Sequence, residues 1–404
     1  MAATNSNQAF LLKTMYPRDV LKDMTFDNNP FLGMVAKNEN AGGEGIKVPV
    51  IYGNPQGRSA SLSTAITNKG NTAGKSFLLT TVEDYSVASI TRKVMMQSKG
   101  NDKAFAEAAE VEVDGAINTC VRSLAKALYG NGSGSLGQVA SESTVTLTLL
   151  DINDISNFEV GMVLKADTVD GGGTVNSGSQ TVSGIDRDAG TLTAATNWTT
   201  GIASLAANDY LFQEGDYDAM LKGLAAWVPS TAPGATSFFG VDRTADVTRL
   251  GGVRVVGTSM PIEQALLKAA AKVSREKGKP NAAFINDVQY YQLILSLGSK
   301  VEYVKQGVTA DVYFSGVVLH GPRGPIEVYP DPNCPSDRGY VLQMDTWELH
   351  STDAAPHIFD IDNDQEFLRE STADAYEVRV GYYAQLGCKA PGWNAVVTLD
   401  SATF

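Results

Sequence analysis

Gly132, Gly134 and Gly137 fall at the GxGxxG spacing of a dinucleotide-binding loop. That fingerprint needs a strand entering the loop and a helix leaving it, because the pyrophosphate sits on the free N–H groups of the helix N-terminus. Here the glycines close a helical pattern, so the cofactor reading fails on context. Gly70, Gly74, Lys75 and Ser76 resemble a phosphate loop, but three residues separate the glycines where the cradle needs four, and a strand pattern follows.

Asp360, Asp362 and Asp364, with Glu366 beyond them, alternate in the oxygen-rich manner that calcium prefers. Gln365 stands where the calcium loop needs its sharp-turn glycine, and Ser371 where it needs its bidentate glutamate. A solvated acidic loop is expected, and these aspartates are the weak metal candidates of the chain. His320, His350 and His357 form neither HExxH nor a His/Cys ligand set, and no nucleophile elbow singles out a serine. They are expected as ordinary strand or surface residues. Trp227, Trp347 and Trp393, with Tyr382 and Tyr383, lack the interleaved basic residues of a base-stacking groove, so core or interface packing is expected. Cys120, Cys334 and Cys388 are widely spaced and odd in number, which argues against a disulfide framework or a zinc knuckle and for a reducing compartment. Neither an enzyme activity nor a cofactor is expected.

A chain of 404 residues, 43% of them hydrophobic, is long enough for two or three packed units. Its formal charge of −13 argues against a dedicated nucleic-acid-binding module, which needs clustered Lys and Arg. No basic flank with an apolar core opens the sequence, and no run of about 18 apolar residues occurs, so secretion and membrane insertion are not expected.

Residues 1–40 balance four positive against four negative charges with little periodicity and read as an arm. From residue 45 on, Ile46, Val48, Val50 and Tyr52 alternate as one face of a strand, with Pro49 favouring an edge position. A turn-rich stretch separates it from a second strand-like run over 77–91, so 41–100 is predicted to form a long hairpin. Seven basic residues (Lys47, Arg58, Lys69, Lys75, Arg92, Lys93, Lys99) against three acidic ones (Glu44, Glu83, Asp84) make this stretch +4, which suggests reaching to a neighbour.

Phe105, Ala109, Val113, Ile117, Cys120, Leu124 and Leu128 then recur every three or four residues, predicting a helix over 101–129, roughly 43 Å long, stopped by Gly130. A glycine-rich joint follows, and 138–213 turns Thr-, Gly- and Asp-rich, with short alternating runs that read as a small antiparallel β unit. Nine acidic residues against Lys165 and Arg187 give it −7, over half the net charge. Downstream, a helix with Pro261 in its first turn buries Ile262, Leu266, Ala269 and Val273. A strand over 282–285 leads through Asn286 or Asp287 as N-cap into a second helix with Tyr290, Leu293, Ile294 and Leu297 inward. Strands dominate thereafter, the clearest over 326–329, 340–344 and 376–386.

Taken in order, arm, hairpin, long helix ending in Ala-Leu-Tyr-Gly-Asn-Gly (127–132) and then Lys-Gly-Leu-Ala-Ala-Trp (222–227), the chain resembles the major capsid proteins of tailed bacteriophages. Phe284, Ile285 and Asn286 with Tyr291 and Leu293, the phrase 321–330, Trp347-Glu-Leu349 and the closing phrase 383–393 extend the resemblance over nearly the whole chain apart from the insert.

The resemblance implies an α+β capsid fold: arm 1–40, extended hairpin 41–100, spine helix and joint 101–137, inserted β domain 138–213, a peripheral/axial connection over 214–260, a mainly axial domain 261–370 and closing peripheral strands 371–404. It further implies hexamers and pentamers in an icosahedral shell around double-stranded DNA, without sequence-specific binding. The protein would be made in the host bacterial cytoplasm and reside in the virion, with a separate scaffolding protein, a portal and a possible cement protein as partners. Arg58, Lys69 and Lys75 are the candidate contacts to acidic neighbours. Some relatives cross-link a hairpin lysine to an asparagine; that chemistry needs a nearby acid and a dry site, and is not expected of Lys69 or Lys75. The rival reading is a β-rich fibre, adhesin or decoration protein, which explains neither the long helix nor the arm.

Overall fold

The computed structural model describes residues 29–39, 41–43, 45–93, 102–297, 317–359, 368–370 and 373–401, with 102–111 as backbone alone. Most of the expected arm, and Asp360, Asp362 and Asp364, lie outside the described residues. Three hydrophobic cores organise the rest.

The largest core forms under the long helix Asp102–Tyr129. Cys120, Leu124 and Leu128, one helical stripe, are buried against strands Val82–Thr91 and Ala375–Cys388. These two strands pair antiparallel over ten residues, from Ala375 opposite Thr91 to Ala384 opposite Val82. On its other edge Ala375–Cys388 carries Trp347–Ser351, which in turn holds Ala36–Asn38 in parallel. The helix ends where the sequence predicts, at Gly130, and the Tyr129 hydroxyl donates to Asp331 at 2.8 Å, tying its last turn to the body.

The run 77–91, expected as one strand, is two. Phe77 and Leu79 are buried on odd numbers, whereas Ala88 and Ile90 are buried on even ones. A continuous strand keeps each parity on one face, so the chain breaks at Thr80 and Thr81. Ala73–Leu79 pairs with Ile46–Gly53 in a two-stranded ribbon, and Val82–Thr91 joins the main sheet.

A second core lies in a six-stranded mixed sheet, ordered Val253–Val256, Ala395–Thr398, Arg338–Leu342, Ala282–Ile285, Gly324–Pro330, Val317–Gly321. Helix Ile262–Arg275 packs on it through Ile262, Leu266, Ala269 and Val273. Asn286 caps helix Asp287–Leu297, its side-chain oxygen accepting from the Val288 N–H at 3.1 Å.

The third core fills a closed antiparallel barrel of six strands, from Ser135–Ser143 to Tyr210–Gln213, with Trp198, Leu147, Leu164 and Leu192 fully enclosed. Phe212 pairs with Ser135, so its first and last strands lie side by side at the point of attachment. The neck is closed by Gly223 N–H donating to Gly130 O at 3.1 Å. A Cβ on Gly223 would stand 2.1 Å from Leu128 O, which is why only glycine lets the returning chain pass the helix end.

Candidate subunit-contact surface

The ribbon is packed against the body at its base and exposed at its tip. Val48, Val50, Phe77 and Leu79 face inward, with Phe77 edge-on to Trp227 at 5.0 Å and to Phe238 at 6.2 Å. Leu78 N–H donates to Phe239 O at 3.0 Å, and Arg249 donates to Tyr52 O at 2.6 Å. Beyond this base, residues 54–72 fold back on themselves, Gly57 lying so close to Lys69 that a Cβ would meet its Cα at 2.9 Å. The short helix Leu62–Thr67 within this tip buries none of its residues. Leu62 is 77% and Ile66 54% exposed, four apart on one side of the helix.

Arg58 and Lys69 lie in this tip, both exposed. Lys75 does not: it sits within strand Ala73–Leu79 opposite Val50, on the same face as Phe77 and Leu79 but exposed where the ribbon runs out past its base. Its charge is felt by Asp242, whose carboxyl is held below its ordinary range first by the Thr244 hydroxyl and N–H, with Lys75 adding to the effect. The sequence reading therefore groups three cations of which the structure keeps two together.

The other motifs find structural roles. Gly132 and Gly134 have φ of 99° and 83° and turn the chain at the barrel neck, where a Cβ on Gly134 would stand 2.6 Å from Asp216 O. Among the described residues no three His, Cys, Asp or Glu side chains are placed to hold a metal ion. His320 is exposed, His357 half-buried and His350 buried, all on strands. Trp227 and Trp347 are core residues; Trp393 is 38% exposed and donates to Glu276 O at 3.1 Å. Asn394 beside it is fully buried and accepts from both the Trp347 indole and the Gln343 N–H at 2.9 Å, joining the two body sheets.

The barrel rests on the long helix through polar contacts. Arg122 pairs with Glu159 at 2.6 Å, and Arg187 of the barrel shares that carboxylate at 3.0 Å. One turn on, Lys126 reaches Asp154 at 3.9 Å, and Ser336 of the body hydrogen-bonds Asp151. Burial pushes the Asp154 carboxyl up to about 6 against the pull of Lys126, with Asp151 and Asp337 adding to the rise. Asp216, at the neck, is raised to about 7 by burial and by Asp84. The sequence signal for this seat is Arg122 and Lys126 on one helix face, four apart, beside an acidic insert; composition alone does not point to it.

No family model and no curated protein matches the sequence. The structure is similar to a chain of the cyanophage A-1(L) capsid asymmetric unit, with a TM-score of 0.56 and 12% identity over 96% of this chain and 97% of that one. Lower-scoring likenesses are to Mycobacterium phage Ogopogo (TM-score 0.46, 8% identity, 98% and 100% covered) and to the holo-SrpI encapsulin complex of Synechococcus elongatus (TM-score 0.47, 8% identity, 100% and 98% covered). What the cyanophage chain shares at this identity is the fold, along almost all of both chains.

Proposed function

Proceeding from a fold held in common with a phage capsid subunit, we propose that this chain is the major capsid protein of a tailed bacteriophage, a structural subunit without catalytic activity or cofactor. The observation that carries the reading is end-to-end coverage: the likeness takes in 96% of this chain and 97% of the cyanophage chain, so it involves the complete subunit architecture and not one shared module. The ribbon supports it, because a hairpin fixed at its base with an exposed apolar and basic tip is built to meet another molecule.

Copies of the chain form hexamers and pentamers that close into an icosahedral shell around double-stranded DNA. The net charge of −13 keeps that shell from gripping its contents. Each subunit is held by several neighbours at once, so a modest contact through Arg58, Lys69 or Lys75 gains strength from the others. Assembly takes place in the host bacterial cytoplasm with a separate scaffolding protein; a portal and a cement protein complete the virion. Negative-stain electron microscopy of the purified protein, alone and with a candidate scaffold, tests this. Closed uniform shells or ring-shaped capsomers are expected, and small monodisperse particles under every condition would overturn it in favour of a β-rich binding protein.

A further inference from the structure

Asn131 and Gly132 form the only Asn-Gly pair in the sequence, and it falls at the neck, between the end of the long helix and the first barrel strand. The fold requires the glycine: Gly132 has a φ of 99°, and a Cβ there would stand 2.8 Å from Lys222 Cγ. Its nitrogen therefore has no side chain to shield it, and its N–H makes no hydrogen bond among the described residues. Both ends of the Asn131 amide are held. Its Oδ1 accepts from the Ser133 N–H at 2.9 Å, closing a ring of atoms that contains both the Asn131 Cγ and the Gly132 nitrogen. Its Nδ2 donates to Asp170 Oδ2 at 2.9 Å. The first bond stabilises negative charge on Oδ1 when a nucleophile adds to Cγ, and the second sets a carboxylate beside the nitrogen that would leave. Both residues line a cleft of about 740 Å³ between the barrel and the body, which gives water a path to them.

We propose that Asn131 is a site of self-modification, converted through a cyclic imide to aspartate and isoaspartate, and that the change loosens the barrel neck. The Gly132 nitrogen gives its proton to hydroxide and bonds to Asn131 Cγ. The bond from Cγ to Nδ2 breaks, and Nδ2 takes a proton from water and leaves as ammonia. Water then opens the five-membered ring at either carbonyl. One opening leaves aspartate at 131, and the other routes the main chain through the side chain as isoaspartate. No oxidant, metal or second protein is needed. Either product replaces a donor to Asp170 by a carboxylate. Asp170 keeps the Ser133 hydroxyl, at 2.6 Å, but now faces a like charge. Isoaspartate also adds a main-chain methylene between Gly130 and Ser133, whose carbonyls accept from Gly223 N–H at 3.1 Å and from Asp218 N–H at 2.9 Å to close the neck.

The test ages the purified full-length protein at neutral pH and follows residue 131 by peptide mass spectrometry. Conversion of amide to acid at Asn131, with isoaspartate among the products, is expected at least about tenfold faster than at Asn176, which precedes serine and not glycine. The rate should rise with pH, because the Gly132 nitrogen attacks as its anion. An Asn131 that reacts no faster than Asn176, or that yields aspartate without isoaspartate, would overturn the inference. The loosening is read separately by hydrogen exchange in Asn131→Asp. The Gly223 and Asp218 amides should exchange at least about tenfold faster than in the wild type, and unchanged protection would overturn that part. Should Asn131→Asp fail to fold, the same amides are read in aged wild-type protein, with the same two outcomes.

Discussion

His350 sits at 5% exposure with neither ring nitrogen hydrogen-bonded, packed beside Gly387, where a Cβ would stand 2.9 Å from the ring. Burial holds it below the ordinary histidine range; Glu348 pulls the other way, and Lys389 adds to the depression. The unfolded chain takes up a proton near pH 6.5, the ordinary value, while the folded chain resists it, so stability falls as pH drops through that value and levels off below the folded one. Asp154 and Asp216 act oppositely: with folded values of about 6 and about 7, they favour the folded state in acid and lose that contribution as pH rises through those values. A single melting curve mixes the two, so the comparison is between wild type and His350→Leu. The variant should gain on the wild type progressively below about pH 6.5; a Tm difference constant from pH 7.5 to 5 would show that His350 is not the group responsible. Nothing in the sequence marks His350 off from His320 or His357, since burial is set by strands more than 30 residues apart in the chain.

Elements were legible in proportion to how locally they are specified. The long helix is written in its own spacing, and so are helix Ile262–Arg275 and the Asn286 cap. The ribbon strands are legible as alternation, but the break at Thr80 and Thr81 has no Gly or Pro to announce it and shows only as a change of phase between Leu79 and Ala88. For the same reason Lys75 reads as a tip residue although strand Ala73–Leu79 has already begun. Leu62 and Ile66 were not singled out at all, because an apolar residue in a turn-rich stretch carries no sign of whether anything covers it. The antiparallel character of the insert shows in its short alternating runs, whereas its closure depends on Tyr210–Gln213 pairing with strands on both sides. That closure leads to a prediction. Excising residues 135–213 and joining the adjacent ends should leave a soluble body with its helical circular dichroism intact. The isolated segment should fold by itself. The lost Arg122 and Lys126 pairs are partly exposed and worth about 1 kcal/mol or less each, so the excised body should melt only a few degrees lower. A body that loses its helix signal would show that the barrel is part of one cooperative unit.

For the molecule as a whole, two charged regions of opposite sign sit on one chain, a basic ribbon and an acidic barrel, and the proposed shell surrounds each copy with several others. Limited trypsin digestion reads this out without any mutation. In free subunits, cleavage should fall first at Arg58 and Lys69, which are exposed in the tip. In assembled particles the same bonds should survive at least tenfold longer, and equal cleavage rates in both forms would mean that the tip stays in solvent within the shell.

The neck, where Gly223 passes the end of the long helix and Ser135 lies beside Phe212, also has a mechanical meaning. Both chain connections to the barrel leave the body at one point, so a pull on the barrel reaches the body's sheets as a torque about a single pivot. The polar seat on Arg122 and Lys126 is the strut that resists it. The neck and this seat together hold the barrel to the body at two places along the long helix.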